Sequence, residues 1–111
     1  MREGEIILVN LPQSDGVIKF RPVLLLKQLP GYNDFLVCGI STQLHQLING
    51  FDELVDEKNN YFIQTGLRQS SIIRLAFLAV IPCNKIPGSI GKIDLSLHQN
   101  LLERLAKYLI N

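Results

Sequence analysis

The chain has 111 residues, 47% of them hydrophobic and 19% charged, a size and balance that fit one soluble domain over residues 1–111 and leave no room for a second. Folded chains of this size bury roughly two-thirds of the surface their unfolded form exposes, so a core forms without disulfide staples. The net charge of +1 excludes a globally basic nucleic-acid binder, and the two cysteines, Cys38 and Cys83, sit in no paired spacing of a zinc or redox motif and read as reduced core thiols of a cytoplasmic protein.

The first apolar run follows the charged Met1-Arg2-Glu3-Gly4-Glu5 and is interrupted by Asn10 and Pro12, short of the length of a signal sequence or membrane span. Gly4 to Leu11 is β-rich and apolar on both faces and ends in the turn formers Pro12-Gln13-Ser14-Asp15-Gly16, which predicts a buried first strand. Arg21-Pro22 opens a second strand over Val23-Leu24-Leu25-Leu26-Lys27, closed by Pro30-Gly31-Tyr32-Asn33-Asp34. Phe35 to Thr42 is a third, with Phe35, Val37, Gly39 and Ser41 on one side.

A polar linker leads to Phe51-Asp52-Glu53-Leu54-Val55, read as a short exposed strand or turn holding the acids Asp52, Glu53, Asp56 and Glu57. Ser70 to Ile81 is the longest strand candidate, and the chain after Pro82 is irregular. Asp94 then offers an N-cap to a helix whose Leu97, Leu101, Leu105 and Leu109 recur every fourth residue and predict one packed face. Short strands in meander order with one terminal helix make a mainly β, α+β chain: a small, strongly bent sheet or barrel closed by the helix.

The charges are unevenly spread. Lys19, Arg21 and Lys27 lie in one acid-free stretch, and Lys58, Arg68, Arg74, Lys85 and Lys92 in another; if the two meet in space, a nearly neutral protein presents a phosphate-attracting face. Pro22 holds Arg21 in extended geometry at a strand entrance, and its guanidinium stays charged at any working pH, so it suits a phosphate; a structural strand-entry arginine is the alternative. Arg74 shares a strand face with Ile72, Ala76, Leu78 and Val80, where an unpaired charge is costly. Either Asp15 or the Asp52/Glu53 cluster pairs with it, or that end of the strand opens into a wet groove.

Ser41, Thr42 and Gln43, with Ser70 and Ser71 at the start of the long strand, offer hydroxyls and an amide to a phosphate oxygen or a base edge. His45 offers an imidazole for proton exchange with an RNA oxygen, although a loop histidine is more often only exposed, and His98 on the terminal helix reads as exposed too. The chain contains no nucleophile elbow, glycine-rich phosphate loop or zinc spacing. RNA cleavage needs none of these, since the 2'-hydroxyl is the substrate's own nucleophile and the protein supplies only proton transfer and cationic stabilisation of the phosphorane.

Five short motifs, in order and spacing, resemble the MazF/PemK toxin pattern across nearly the whole chain: Gly4-Glu5-Ile6, Arg21-Pro22-Val23-Leu24, Ile40-Ser41-Thr42-Gln43, Gly66-Leu67 ahead of Ser71-Ile72-Ile73-Arg74-Leu75, and Ile90-Gly91-Lys92. The resemblance implies an SH3-like barrel and a homodimer with a single-stranded RNA groove across its interface. It also implies neutralisation by an antitoxin, operator DNA reached only through that antitoxin, and cleavage to a 2',3'-cyclic phosphate and a 5'-hydroxyl without metal or other cofactor. By position, Arg21 matches the family's catalytic arginine before proline, Ser41 falls where many members carry a catalytic threonine, and Arg74 matches the strand arginine of the PemK branch. Lys19, Thr42, Gln43, His45, Arg68, Ser70 and Ser71 are then the RNA-binding candidates. Many members carry an acid and then glutamine just beyond the residue after that strand arginine, whereas this chain reads Leu75-Ala76-Phe77. Asp15 in the first loop is the nearest substitute carboxylate. The reading that follows is a toxin-type endoribonuclease; its rivals are a non-catalytic relative that binds RNA or an antitoxin peptide, and a barrel-type interaction module.

Overall fold

The computed structural model describes residues 2–12, 16, 18–86 and 88–111. Strands β1 (Glu5–Pro12), β2 (Ile18–Gln28) and β3 (Phe35–Ser41) form an antiparallel meander, followed by β4 (Glu53–Val55), the short helix α1 (Phe62–Thr65), β5 (Ser71–Ile81), β6 (Ser89–Lys92) and the terminal helix α2 (Leu95–Ile110). The six strands make one antiparallel sheet in the order β4-β5-β3-β2-β1-β6, curved into a half-barrel. Strand β6 is an addition to the sequence reading, which leaves that segment irregular. At four residues it is too short to show an alternating pattern, and only pairing with β1 at Glu5↔Lys92 and Ile6↔Gly91 makes it a strand.

The curved sheet buries both faces. On one, Ile6, Leu24, Leu26, Cys38, Ile40, Ile73 and Leu75 pack with Leu101 and Leu105 of α2; on the other, Ile7, Val9, Val23, Leu25, Phe35, Val37 and Ile81 form a second cluster. Double burial is why β1 and β2 read as continuous apolar runs. The leucine stripe of α2 meets the sheet at Leu101 and Leu105, while Leu109 is exposed. Asp94 sits at the N-cap position without a side-chain cap bond, its carboxylate accepting instead from the Gln64 amide.

His98 is buried, contrary to its reading as an exposed residue, with Nε2 2.7 Å from the Leu26 carbonyl, and that polar contact makes the burial tolerable. Cys83 is exposed, and only Cys38 is a core thiol. The acid segment is also less exposed than its composition suggests. Val55 is buried, Asp52 is buried, and Glu53 meets Arg104 of α2 at 3.0 Å, with the same guanidinium donating to the carbonyls of Phe51 and Asp52. No helix among the described residues is long and apolar enough to cross a membrane.

Candidate functional site

Strand β2 begins at Ile18, so Arg21 lies inside the strand rather than at its entrance. It pairs with Val9 of β1, but on the other flank the β2–β3 ladder runs only from Val23↔Gly39 onward. Pro22 lacks an amide donor, and the ladder stops there. Continued by two residues, the same register sets Arg21 level with Ser41, and Ser41 pairs with Ile72 of β5. Two residues further in lies the row Ile7, Val23, Gly39 and Arg74.

Cross-strand partners share a face, and so do alternate residues on one strand. Arg21, Ser41 and Arg74 therefore project from the face opposite α2, at the rim of the second apolar cluster. Two strand spacings and two residues separate the arginines, roughly 12 Å between Cα positions, so the two side chains can reach a common anion.

Arg74 is half-buried. One guanidinium nitrogen donates weakly to Gln46 Oε1 at 3.5 Å, and its Nε is buried with no hydrogen-bond partner among the described residues. The acids offered as compensation are used elsewhere: Asp52 accepts the amides of Ile48 at 3.0 Å and Leu75 at 3.2 Å, and Glu53 serves Arg104. Asp15 lies outside the described residues. Among the described residues Arg74 thus has a neutral partner and no carboxylate, so of the pairings offered by the sequence those with Asp52 and Glu53 are not formed. Arg21 is half-buried and held by an interaction of its own.

Ser41 Oγ accepts the Gln43 amide at 3.0 Å, which fixes the hydroxyl and leaves its hydrogen to donate to an incoming oxygen. Gln43 and His45 are exposed, His45 within a single 3-10 turn over Leu44–Gln46. Lys19 is exposed on β2 opposite Leu11. Thr42, Arg68 and Ser71 come together around a cleft of about 370 Å³ walled by Leu8, Pro22 and Ile90. Ser71 Oγ is turned to the Gln69 carbonyl. Ser70 serves the chain itself: its hydroxyl accepts the Glu57 amide at 2.9 Å while its own amide donates to the Glu57 carboxylate at 3.3 Å.

Two glutamines escape sequence reading. Gln46 reaches Arg74 across 28 positions and Gln69 lines the cleft, and neither stands in a local pattern that would mark it. The cleft lies on the other face of the sheet, since Leu8 and Pro22 alternate with Ile7 and Arg21, and Thr42 and Ser71 with Ser41 and Ile72; the face opposite α2 offers two guanidinium groups and a fixed hydroxyl. Such a surface can hold a phosphodiester and stabilise added negative charge on it.

The chain matches, over residues 2–109, the family model described as PemK-like, MazF-like toxin of type II toxin-antitoxin system. Among solved structures it is similar to Mycobacterium tuberculosis toxin MazF-mt6, with 26% identity, a TM-score of 0.65 and 93% of each chain covered. A second Mtb toxin is 27% identical at a TM-score of 0.58, covering 78% of this chain and 90% of its own. No curated protein matches. With the family model spanning almost every residue of a half-barrel closed by a terminal helix, the chain belongs to the PemK-like, MazF-like toxins of type II toxin–antitoxin systems.

Proposed function

We propose that this protein is a toxin endoribonuclease that cuts single-stranded mRNA without a metal ion, by attack of the substrate's 2'-hydroxyl, to leave 2',3'-cyclic phosphate and 5'-hydroxyl ends. One observation carries the reading: Arg21, Ser41 and Arg74 share a sheet face near the end of the β2–β3 ladder, and no described carboxylate neutralises Arg74. In this scheme the scissile phosphate lies between the arginines, whose charge offsets that of the phosphorane as it forms, and the Ser41 hydroxyl holds a non-bridging oxygen. Thr42, Gln43, Arg68, Ser70 and Ser71, at the end of the sheet, contact the flanking nucleotides where the strand passes over the rim, and Lys19 continues the face that carries the arginines. Proton transfer falls to Asp15 or His45, because Ala76 supplies no carboxylate.

The working unit is a homodimer neutralised by a cognate antitoxin, through which alone it meets operator DNA. Exposed Leu78, Val80, Tyr108, Leu109 and Ile110 supply the apolar surface that a second copy would cover.

A non-cleaving relative that binds RNA or an antitoxin peptide is the second reading, and Ala76 favours it. Incubating the protein with a long single-stranded RNA in EDTA, then mapping the ends, separates the two. Discrete cuts with cyclic-phosphate ends, absent from Arg21→Ala, are the expected result. Salt-sensitive binding without cuts would establish the second reading, and neither cuts nor binding would remove both.

A further inference from the structure

Phe77 belongs to neither apolar cluster and is 45% exposed. Strand β5 carries it there by an irregularity: Cys38 of β3 faces Leu78, yet the next residue, Gly39, faces Arg74, so Leu75, Ala76 and Phe77 have no β3 partners. Such a bulge re-aims side chains. The ring of Phe77 comes to rest over Gly39, where an added Cβ would meet its Cδ1 at 3.0 Å and its Cγ at 3.1 Å. The glycine is thus the floor on which the aromatic lies, and Arg74 stands across the strand from that same glycine.

The Cβ direction of Gly39 is that of Val37 and Ser41, its alternate neighbours. The ring therefore lies on the face that carries the two arginines and the serine. A solvent-facing aromatic on a glycine floor, beside a guanidinium whose Nε has no partner among the described residues, is the pairing by which proteins take up a nucleotide: a base on the ring and a phosphate on the cation.

We infer that Phe77 is a base-binding residue of the RNA groove, stacking one nucleobase of the strand whose neighbouring phosphate Arg74 holds. The inference rests on the RNA reading above and adds to it a contact that places the strand along β5. Every base offers a π-face, so the contact contributes affinity and register, and base choice follows stacking strength.

The chain has no tryptophan, so Phe77→Trp introduces a single indole at the proposed platform. An oligoribonucleotide carrying 2'-O-methyl groups cannot be cut and serves as the probe. Its addition is expected to quench the indole emission, and an abasic sugar-phosphate oligomer of the same length is expected to bind without quenching. Phe77→Leu, which keeps an apolar contact on Gly39, is expected to weaken oligonucleotide binding between about fivefold and a hundredfold. Its salt dependence should be unchanged, because no phosphate contact is lost; Arg74→Ala, by contrast, should lower the slope by about one.

Emission that ignores a bound oligonucleotide, or undiminished affinity in Phe77→Leu, would overturn the inference and leave the nuclease reading standing. So would an emission shift that grows with protein concentration without RNA, since a second copy would then cover the ring. If wild-type protein neither binds nor cuts RNA, the reading itself fails and the platform with it.

Discussion

The amide of Leu75 donates to the buried carboxylate of Asp52 at 3.2 Å, one residue beyond Arg74. Leu75 lies in the part of β5 that the bulge removes from β3 pairing, so its N–H would be an orphan without that acid. Asp52 accepts the Ile48 amide as well. A carboxylate spent on two backbone amides explains why the segment's acidity does not neutralise the neighbouring arginine. Asp52→Ala should therefore cost about 2–4 kcal/mol, the sum of one buried and one part-buried donor left unmet, read as a lower midpoint in denaturant unfolding. Asp52→Asn, which keeps an acceptor, should cost less.

In the proposed reaction, guanidinium geometry rather than charge alone engages the phosphate. Arg21→Ala and Arg74→Ala should each lower kcat/KM for RNA cleavage by about 10²–10³-fold, and lysine at either position should restore little, since an ammonium lacks the planar fork of donors. Thermal midpoints measured alongside should stay close to wild type for Arg74→Ala, whose one side-chain hydrogen bond among the described residues is the 3.5 Å one to Gln46.

Gly66 ends α1 with φ +73°, and a Cβ there would lie 2.1 Å from the carbonyl oxygen of Ile90. Both the left-handed backbone and the close approach of β6 demand glycine. Gly66→Ala should destabilise by about 2–4 kcal/mol, and amide exchange should show β6 loosening first, because the clash is with its backbone.

The two thiols should differ sharply. Desolvation first, and the charge of Asp52 second, push the ionisation of Cys38 far above the usual thiol range, whereas Cys83 is exposed. A chromogenic disulfide should consume one thiol at once and the second only on unfolding. The sign of the pH effect follows: unfolded Cys38 ionises near about 8.5, while the folded state retains the proton. The stability associated with that proton is full below this pH and is lost as pH rises beyond it.

The long elements and the family were legible in the chain because they are local. A strand buried on both faces writes itself as an apolar run, the four-residue leucine spacing writes a helix, and the five short motifs kept their order. Arg74 stood out because a charge interrupts an apolar strand face, Arg21 because a proline follows it, and Ser41 because it ends a strand where the family pattern carries a hydroxyl residue. The site's assembly was not legible. That Arg21 comes level with Ser41, that Gln46 reaches Arg74, that His98 finds the Leu26 carbonyl across 72 positions and that Phe77 lies over Gly39 all depend on register, on one bulge and on where Pro22 stops a ladder. Sequence alone determined which residues needed partners, since burial and charge are properties of a residue and its near neighbours. Only the tertiary structure decided which partners they received, because pairing across strands is set by hydrogen bonds between segments far apart in the chain.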